Sequence, residues 1–344
     1  MASSLDKFGV LMQMLSLTTA YSDGTHNAFT GIGEIGGVFH LAFRQAETHS
    51  AQGGLQVRMT STDGENWDFR SKTGFPPPAE LPPGTSMDLR DNAFLRCGDE
   101  LRIYSFVHAP LVADEYLMPT GTTLQVLRSG EEWSSPREIF SGTILWKPIF
   151  WRDEFWCAGY RRLPGQGLVV ELYRSSDGWD WRRGDLIAPG NEACLVPVAN
   201  DVLRAYIRTQ GKGHHLEIWE SSFPYKSWSQ KAVIPKIIQA PHVQEVDGRL
   251  FLLAREVAGV GSTGTPNLPS TTRAKVWEAI GHDLHEVLEL PSLGDCAYFG
   301  TALGSDGSIV ASYYSQHLRD VDAPSDSRGG NNKPADIFVA RLKP

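Results

Sequence analysis

The chain has 344 residues and a formal net charge of −8, a balance that gives no electrostatic footprint for nucleic acid and leaves any anion site to local arginines. With 41% hydrophobic and 21% charged residues, 34 Gly and 21 Pro, the composition excludes a disordered chain and describes a turn-rich globular protein. Four cysteines, Cys97, Cys157, Cys194 and Cys296, lie far apart without a Cys-x-x-Cys pair, which excludes a disulfide scaffold and leaves no zinc frame, so they read as free thiols.

In chain order, the apolar stretch Phe8 to Leu15 is too short to span a membrane and lacks the flanks of an export signal, so it reads as a strand. The run Val38 to Phe43 follows, then Leu55 to Met59, which leads into Ser61-Thr62-Asp63-Gly64-Glu65-Asn66-Trp67. The same pattern, Ser-x-Asp-Gly-x-x-Trp, returns as Ser175-Ser176-Asp177-Gly178-Trp179-Asp180-Trp181 after the strand Leu168 to Tyr173. Asp-Gly tolerates the positive φ of a tight hairpin turn, the serine and aspartate oxygens can bond the turn backbone, and the tryptophan can close over it. Weaker echoes end at Trp133 and Trp228, and the tryptophans at 133, 181 and 228 stand about 47 residues apart, within the range of propeller blades.

Six runs share one character: Val38 to Phe43, Leu101 to Phe106, Glu154 to Ala158, Val202 to Ile207, Arg249 to Ala254 and Ser308 to Tyr313. Polar turns introduce several of them, and no long amphipathic helix intervenes. The expectation is an all-β chain, a six-bladed β-propeller of four-stranded antiparallel blades forming one domain over 1–344. The N-terminal strand would complete a last blade that ends with Ile337 to Arg341, closing the ring without a free edge. Three loops interrupt the rhythm, at 74–84, 258–272 and 319–334, and are candidates to border a pocket.

On the paired heptapeptides and this strand pattern the chain resembles the sialidases (neuraminidases) and their Asp-box, or BNR-repeat, relatives, as a divergent member. The resemblance implies a retaining exo-glycosidase hydrolysing a terminal acidic 2-keto-3-deoxy sugar, such as sialic acid or another nonulosonic acid. Arginines would bind the sugar carboxylate, and a tyrosine assisted by a glutamate would be the nucleophile, avoiding repulsion between two carboxylates. Matched residue by residue, the glutamate falls on Glu192 in Gly190-Asn191-Glu192-Ala193. The arginine about sixteen residues later is Arg208, the next is Arg273 in Thr271-Thr272-Arg273-Ala274, and the nucleophile is Tyr298 in Ala297-Tyr298-Phe299-Gly300.

Two parts of the family pattern are missing. Where the family carries its first clamp arginine, this chain has His26-Asn27-Ala28-Phe29, so Arg44 and Arg90 are the candidate replacements. The loop Glu47 to Gly54 lacks the family's acid/base aspartate, which leaves His49, Glu47, Asp88 and Asp91 as candidate proton donors. The implied partner is a glycan or glycoconjugate, with no nucleic acid, membrane span, metal or cofactor. The alternatives are a glycan-binding propeller without catalysis, or a polysaccharide-active glycosidase or lyase working through acidic residues such as Asp88, Asp91 and Glu192.

Overall fold

A computed structural model describes residues 12–51, 53–75, 87–108, 111–112, 115–116, 121–128, 130–199, 201–209, 215–258, 271–319 and 333–344. They form six four-stranded antiparallel sheets arranged as a β-propeller, with no helix among the described residues and none long and apolar enough to cross a membrane. The three interrupting loops fall largely outside the described residues, as does most of the N-terminal apolar stretch, whose strand is described from Gln13.

Blade I comprises β2 (His26–Ile35), β3 (Val38–Ala46), β4 (Leu55–Ser61) and β5 (Asp68–Thr73). Blade II comprises β6 (Asp88–Cys97), β7 (Glu100–His108), β10 (Gly121–Arg128) and β11 (Arg137–Ser141). A two-stranded ribbon, β8 (Leu111–Val112) with β9 (Glu115–Tyr116), lies in the connection between β7 and β10. Blade III holds β12 (Ile149–Trp151), β13 (Glu154–Leu163), β14 (Gly167–Ser175) and β15 (Arg182–Pro189). Blade IV holds β16 (Asn191–Val198), β17 (Val202–Arg208), β18 (Leu216–Ser222) and β19 (Ser229–Ile234). Blade V holds β20 (Ile237–Val246), β21 (Arg249–Ala258), β22 (Thr271–Ile280) and β23 (Asp283–Leu290). Blade VI is built from both ends of the chain: β24 (Ala297–Leu303), β25 (Ile309–Ser315) and β26 (Asp336–Lys343), with β1 (Gln13–Tyr21) as its outermost strand. The ring is therefore closed by strand pairing, β1 against β26 in register from Gln13↔Lys343 to Tyr21↔Ile337.

The six runs singled out in the sequence are the second strands of the six blades, buried on both faces between neighbouring sheets. Burying such Leu, Phe, Val and Tyr side chains contributes about 1.5–3 kcal/mol each and holds the blades together. At the centre the sheets come close enough to require glycine. A Cβ on Gly31 would meet the Asn92 carbonyl oxygen at 1.7 Å, and one on Gly300 would meet the Gly31 Cα at 2.6 Å. Both turns of the repeated heptapeptide have the same hydrogen bonds: Gly64 and Gly178 N–H donate to Ser61 and Ser175 Oγ, while the next two amides donate to Asp63 and Asp177 Oδ1. These turns join third to fourth strands. Because strand direction alternates, they lie on the face opposite to the start of the inner strands.

Arginines staple turns between third and fourth strands, including both heptapeptide turns, to neighbouring blades. Arg102 of blade II donates to Asp177 O at 2.6 Å and stacks over Phe155 at 4.5 Å, Arg204 of blade IV donates to Gly281 O at 2.6 Å, and Arg341 of blade VI donates to Asp63 O at 3.2 Å.

Candidate active site

Near its start, the inner strand of every blade loses register with its neighbour, and positive φ appears there: at Phe29, Asp91, Lys147, Glu192 and Ala240 in the first five blades, and at both Ala297 and Tyr298 in the sixth. L-residues take this conformation at a cost, so all six breaks are held by surrounding structure, and such strain clusters at functional sites. The breaks at Tyr298 and Glu192 bring their side chains into one hydrogen bond, and the amide at a third, Ala240, donates to Glu192. Three of the six breaks carry residues the sequence selected: Asp91, Glu192 and Tyr298.

Glu192 spans three blades. Its Oε1 accepts the Tyr298 hydroxyl at 2.8 Å and pairs with Arg208 Nη1 at 2.6 Å, while Oε2 accepts the Ala240 amide at 2.9 Å. Burial works to raise the Glu192 carboxyl, but Arg208 beside it and the hydrogen bonds from Arg208 and Tyr298 hold it below the usual range. It is an ionised acceptor in a buried position. Burial and then the Glu192 charge push the Tyr298 phenol well above its ordinary value, so the hydroxyl is protonated and donating. Aromatic rings pack its flanks: Phe29 at 5.3 Å, Trp146 at 6.0 Å and Tyr314 at 6.1 Å between centroids.

The guanidinium over the Tyr298 ring is Arg255, at 5.1 Å, and not Arg273. Arg255 was not singled out in the sequence; it closes an otherwise apolar strand run, Leu252-Leu253-Ala254. Arg273 lies next along the sheet, on β22 opposite Glu256, with its side chain 31% exposed and its Nε 3.3 Å from Glu289. Arg208 has a buried Nε without a partner among the described residues, a donor available to an anion.

Arg44 and Arg90 share one carboxylate. Arg44 Nε lies 2.7 Å from Asp88 Oδ2 and Arg90 Nε 2.8 Å from Asp88 Oδ1. Burial favours the neutral acid at Asp88, but Arg90 and Arg44 keep it ionised and below its ordinary value. The Arg44 side chain is fully buried and also donates to the Thr48 and Ala51 carbonyls, so it braces the loop that carries His49. Arg90 stacks over Phe29 at 5.4 Å. Asp91, a half-buried residue, is pushed up to about 8 by burial and by Glu192, and its buried Oδ1 has no partner among the described residues. Burial pushes Lys147 down to about 8, and its Nζ donates to Phe299 O at 2.5 Å.

A second carboxylate, Asp295, also escaped the sequence reading although it lies only three residues before Tyr298. Its Oδ1 accepts Arg255 Nη1 at 2.9 Å and the Tyr314 hydroxyl at 2.8 Å; its Oδ2 accepts His26 Nε2 at 2.9 Å and His49 Nδ1 at 2.5 Å. Burial opposes its charge, but His49, His26 and Arg255 hold it well below the usual range. The donor atoms of His26, His49 and Asp295 lie within 4.8 Å of one another, a grouping that invites comparison with a metal centre. The spacing does not fit one: two ligands at about 2.1 Å from a tetrahedral ion stand about 3.4 Å apart, whereas Nδ1 and Oδ2 are at the distance of a shared proton. Two surface depressions of about 360 and 380 Å³ lie elsewhere, one lined by Phe223 and Lys226, the other by His40 and Trp133.

No protein-family model and no curated protein sequence matches the chain. Solved structures do. A protein of unknown function from Dyadobacter fermentans aligns with a TM-score of 0.70 at 16% identity, over 96% of this chain and 99% of that one. A mutant of Trypanosoma rangeli sialidase displaying trans-sialidase activity aligns with a TM-score of 0.66 at 12% identity, covering 96% of this chain and 58% of that chain. The phage phi92 endosialidase aligns at 0.62 and 11% identity, over 95% and 69% of the two chains. At these identities the likeness is one of fold: the chain has the six-bladed propeller that sialidases also have.

Proposed function

We propose that the protein is a retaining exo-glycosidase that removes a terminal acidic 2-keto-3-deoxy sugar, sialic acid or a related nonulosonic acid, from a glycan or glycoconjugate. The observation that carries this reading is the 2.8 Å hydrogen bond from Tyr298 to Glu192 beneath two guanidiniums, Arg208 and Arg255. A phenol can approach an anomeric carbon that bears a carboxylate without the repulsion a carboxylate nucleophile would meet. Its raised pKa means that no phenolate stands ready, so Glu192 takes the proton as the bond to carbon forms. Arg208 and Arg255 are the proposed clamp for the sugar carboxylate, because both reach Tyr298 while Arg273 pairs with Glu289.

One observation favours a second reading, a propeller that binds sugar acids without turnover: Phe29 occupies the inner-strand break of blade I, with Arg90 held behind it by Asp88. Assaying 4-nitrophenyl ketosides of several 2-keto-3-deoxy sugar acids against the wild type and Tyr298→Phe separates the two. Release that the substitution reduces at least a thousand-fold supports the glycosidase; saturable binding with no release from any ketoside supports the binding protein.

A further inference from the structure

We propose that His49 is the proton donor to the departing oxygen, and that Asp295 is the positioning residue that makes it so; the inference rests on the glycosidase reading above. In a retaining displacement the nucleophile and the donor act from opposite sides of the sugar. Asp91 shares the register position of Glu192 and Tyr298 and so belongs to the nucleophile's side, while both oxygens of Asp88 are gripped by Arg44 and Arg90. His49 instead sits on the loop between second and third strands of blade I, at the mouth of the cleft, with its side chain 22% exposed.

The Phe29 ring touches both partners, 5.1 Å from His49 and 5.3 Å from Tyr298, and keeps the imidazole one aromatic ring away from the nucleophile. The Nδ1–H of His49 is committed to Asp295 Oδ2 at 2.5 Å, which leaves Nε2 without a protein partner among the described residues. A carboxylate on one imidazole nitrogen fixes the tautomer and orientation and stabilises the imidazolium, so that the other nitrogen can deliver a proton. Asp295 is itself immobilised by Arg255, Tyr314 and His26, so one carboxylate aims the donor and the substrate clamp together.

The proton inventory closes. In the first step Tyr298 Oη bonds to the anomeric carbon, the bond from that carbon to the leaving oxygen breaks, the phenolic proton passes to Glu192, and the Nε2 proton of His49 passes to the leaving oxygen. In the second, water bonds to the anomeric carbon as the bond to Tyr298 breaks, His49 takes the proton from water and Glu192 returns its proton to the phenol. The net reaction adds one water across the glycosidic bond.

The test compares 4-nitrophenyl and methyl ketosides of the same sugar acid on wild type, His49→Gln and Asp295→Asn, with thermal melting to establish folding and ¹⁵N NMR of the imidazoles to read the tautomer. The expected result is that His49→Gln lowers kcat/KM for the methyl ketoside about 10²–10⁴-fold yet leaves kcat/KM for the nitrophenyl ketoside, whose leaving group needs no proton, within about tenfold, because kcat/KM reports the first step and not the water step that both substrates share. In the wild type the neutral His49 ring is expected to carry its proton on Nδ1, and Asp295→Asn is expected to weaken that preference together with methyl ketoside cleavage. Tyr298-dependent release with equal losses of kcat/KM on both leaving groups, or a neutral ring protonated on Nε2, overturns the assignment while leaving the glycosidase reading intact. No release of either aglycone by the folded wild type overturns both.

Discussion

Glu192 and Tyr298 stand at the same register break of inner strands two blades apart, both at positive φ, and a 2.8 Å hydrogen bond joins their side chains across the axis. The pairing couples backbone strain in two sheets to one acid–base contact. Glu192→Gln keeps the shape but removes the charge that receives the phenolic proton. The expected loss in ketoside turnover is about 10²–10⁴-fold, with Tyr298 present and the fold retained by circular dichroism.

Arg208 and Arg255 each neutralise a buried carboxylate, so removing either leaves an uncompensated charge. Arg208→Ala and Arg255→Ala should each destabilise by about 3–5 kcal/mol in denaturant unfolding. Lysine at either position should recover much of the stability but not the affinity for a sugar carboxylate, since the ammonium lacks the guanidinium fork. Equal affinity of the lysine variants for the free sugar acid in calorimetry would remove these residues from the clamp.

Asp91 supplies a pH signature. Its native pKa is pushed up to about 8 from an ordinary 3.8, so between those values the folded chain keeps a proton that the unfolded chain has released. Stability from this group therefore falls as pH rises from about 4 to about 8 and levels off beyond. Asp91→Asn, a neutral isostere, should match the wild type near pH 4 and melt progressively higher than it toward pH 8. A melting difference that stays constant across this window would show that the side chain titrates normally.

The staple at Arg102 belongs to the opposite face, away from the inner-strand breaks. Its bond to Asp177 O and its stacking over Phe155 join blade II to blade III. Arg102→Ala should cost about 2–3 kcal/mol in chemical unfolding and leave turnover per folded molecule unchanged.

The His26, His49 and Asp295 cluster predicts indifference to metals. Because His49 Nδ1 and Asp295 Oδ2 share a proton distance, zinc or manganese added to the protein should leave the melting temperature and the imidazole ¹⁵N resonances unmoved. A saturable shift of both would mean that the ligands open around an ion.

The blades were legible in the sequence because turn chemistry and strand alternation are local. Ser61 to Trp67 and Ser175 to Trp181 announce their hairpins, and the runs beginning at Val38, Leu101, Glu154, Val202, Arg249 and Ser308 are all second strands. Counting from them placed Glu192, Arg208 and Tyr298 in one cluster. The cation over the tyrosine was less visible, because Arg255 and Arg273 occupy adjacent strands, and only register decides which one lies over the ring. Asp295 carries no periodicity of its own; its importance comes from partners 19 to 269 residues away. Aligning the six inner strands would have offered a signal, since Phe29, Asp91, Lys147, Glu192, Ala240 and Tyr298 occupy equivalent positions.

The closure of blade VI by β1 makes the site's chemistry a late product of folding. Tyr298 and Asp295 belong to the one sheet, and its entry, that needs strands from both ends of the chain. Five blades can in principle assemble in order as the polypeptide emerges. The proposed nucleophile and the carboxylate that aims the proposed donor are secured only when residues more than three hundred positions apart pair, a contact of the highest order in the molecule. A chain whose ends have not met would hold Glu192 and Arg208 but not the complete constellation, so the proposed activity would itself report that the ring has shut.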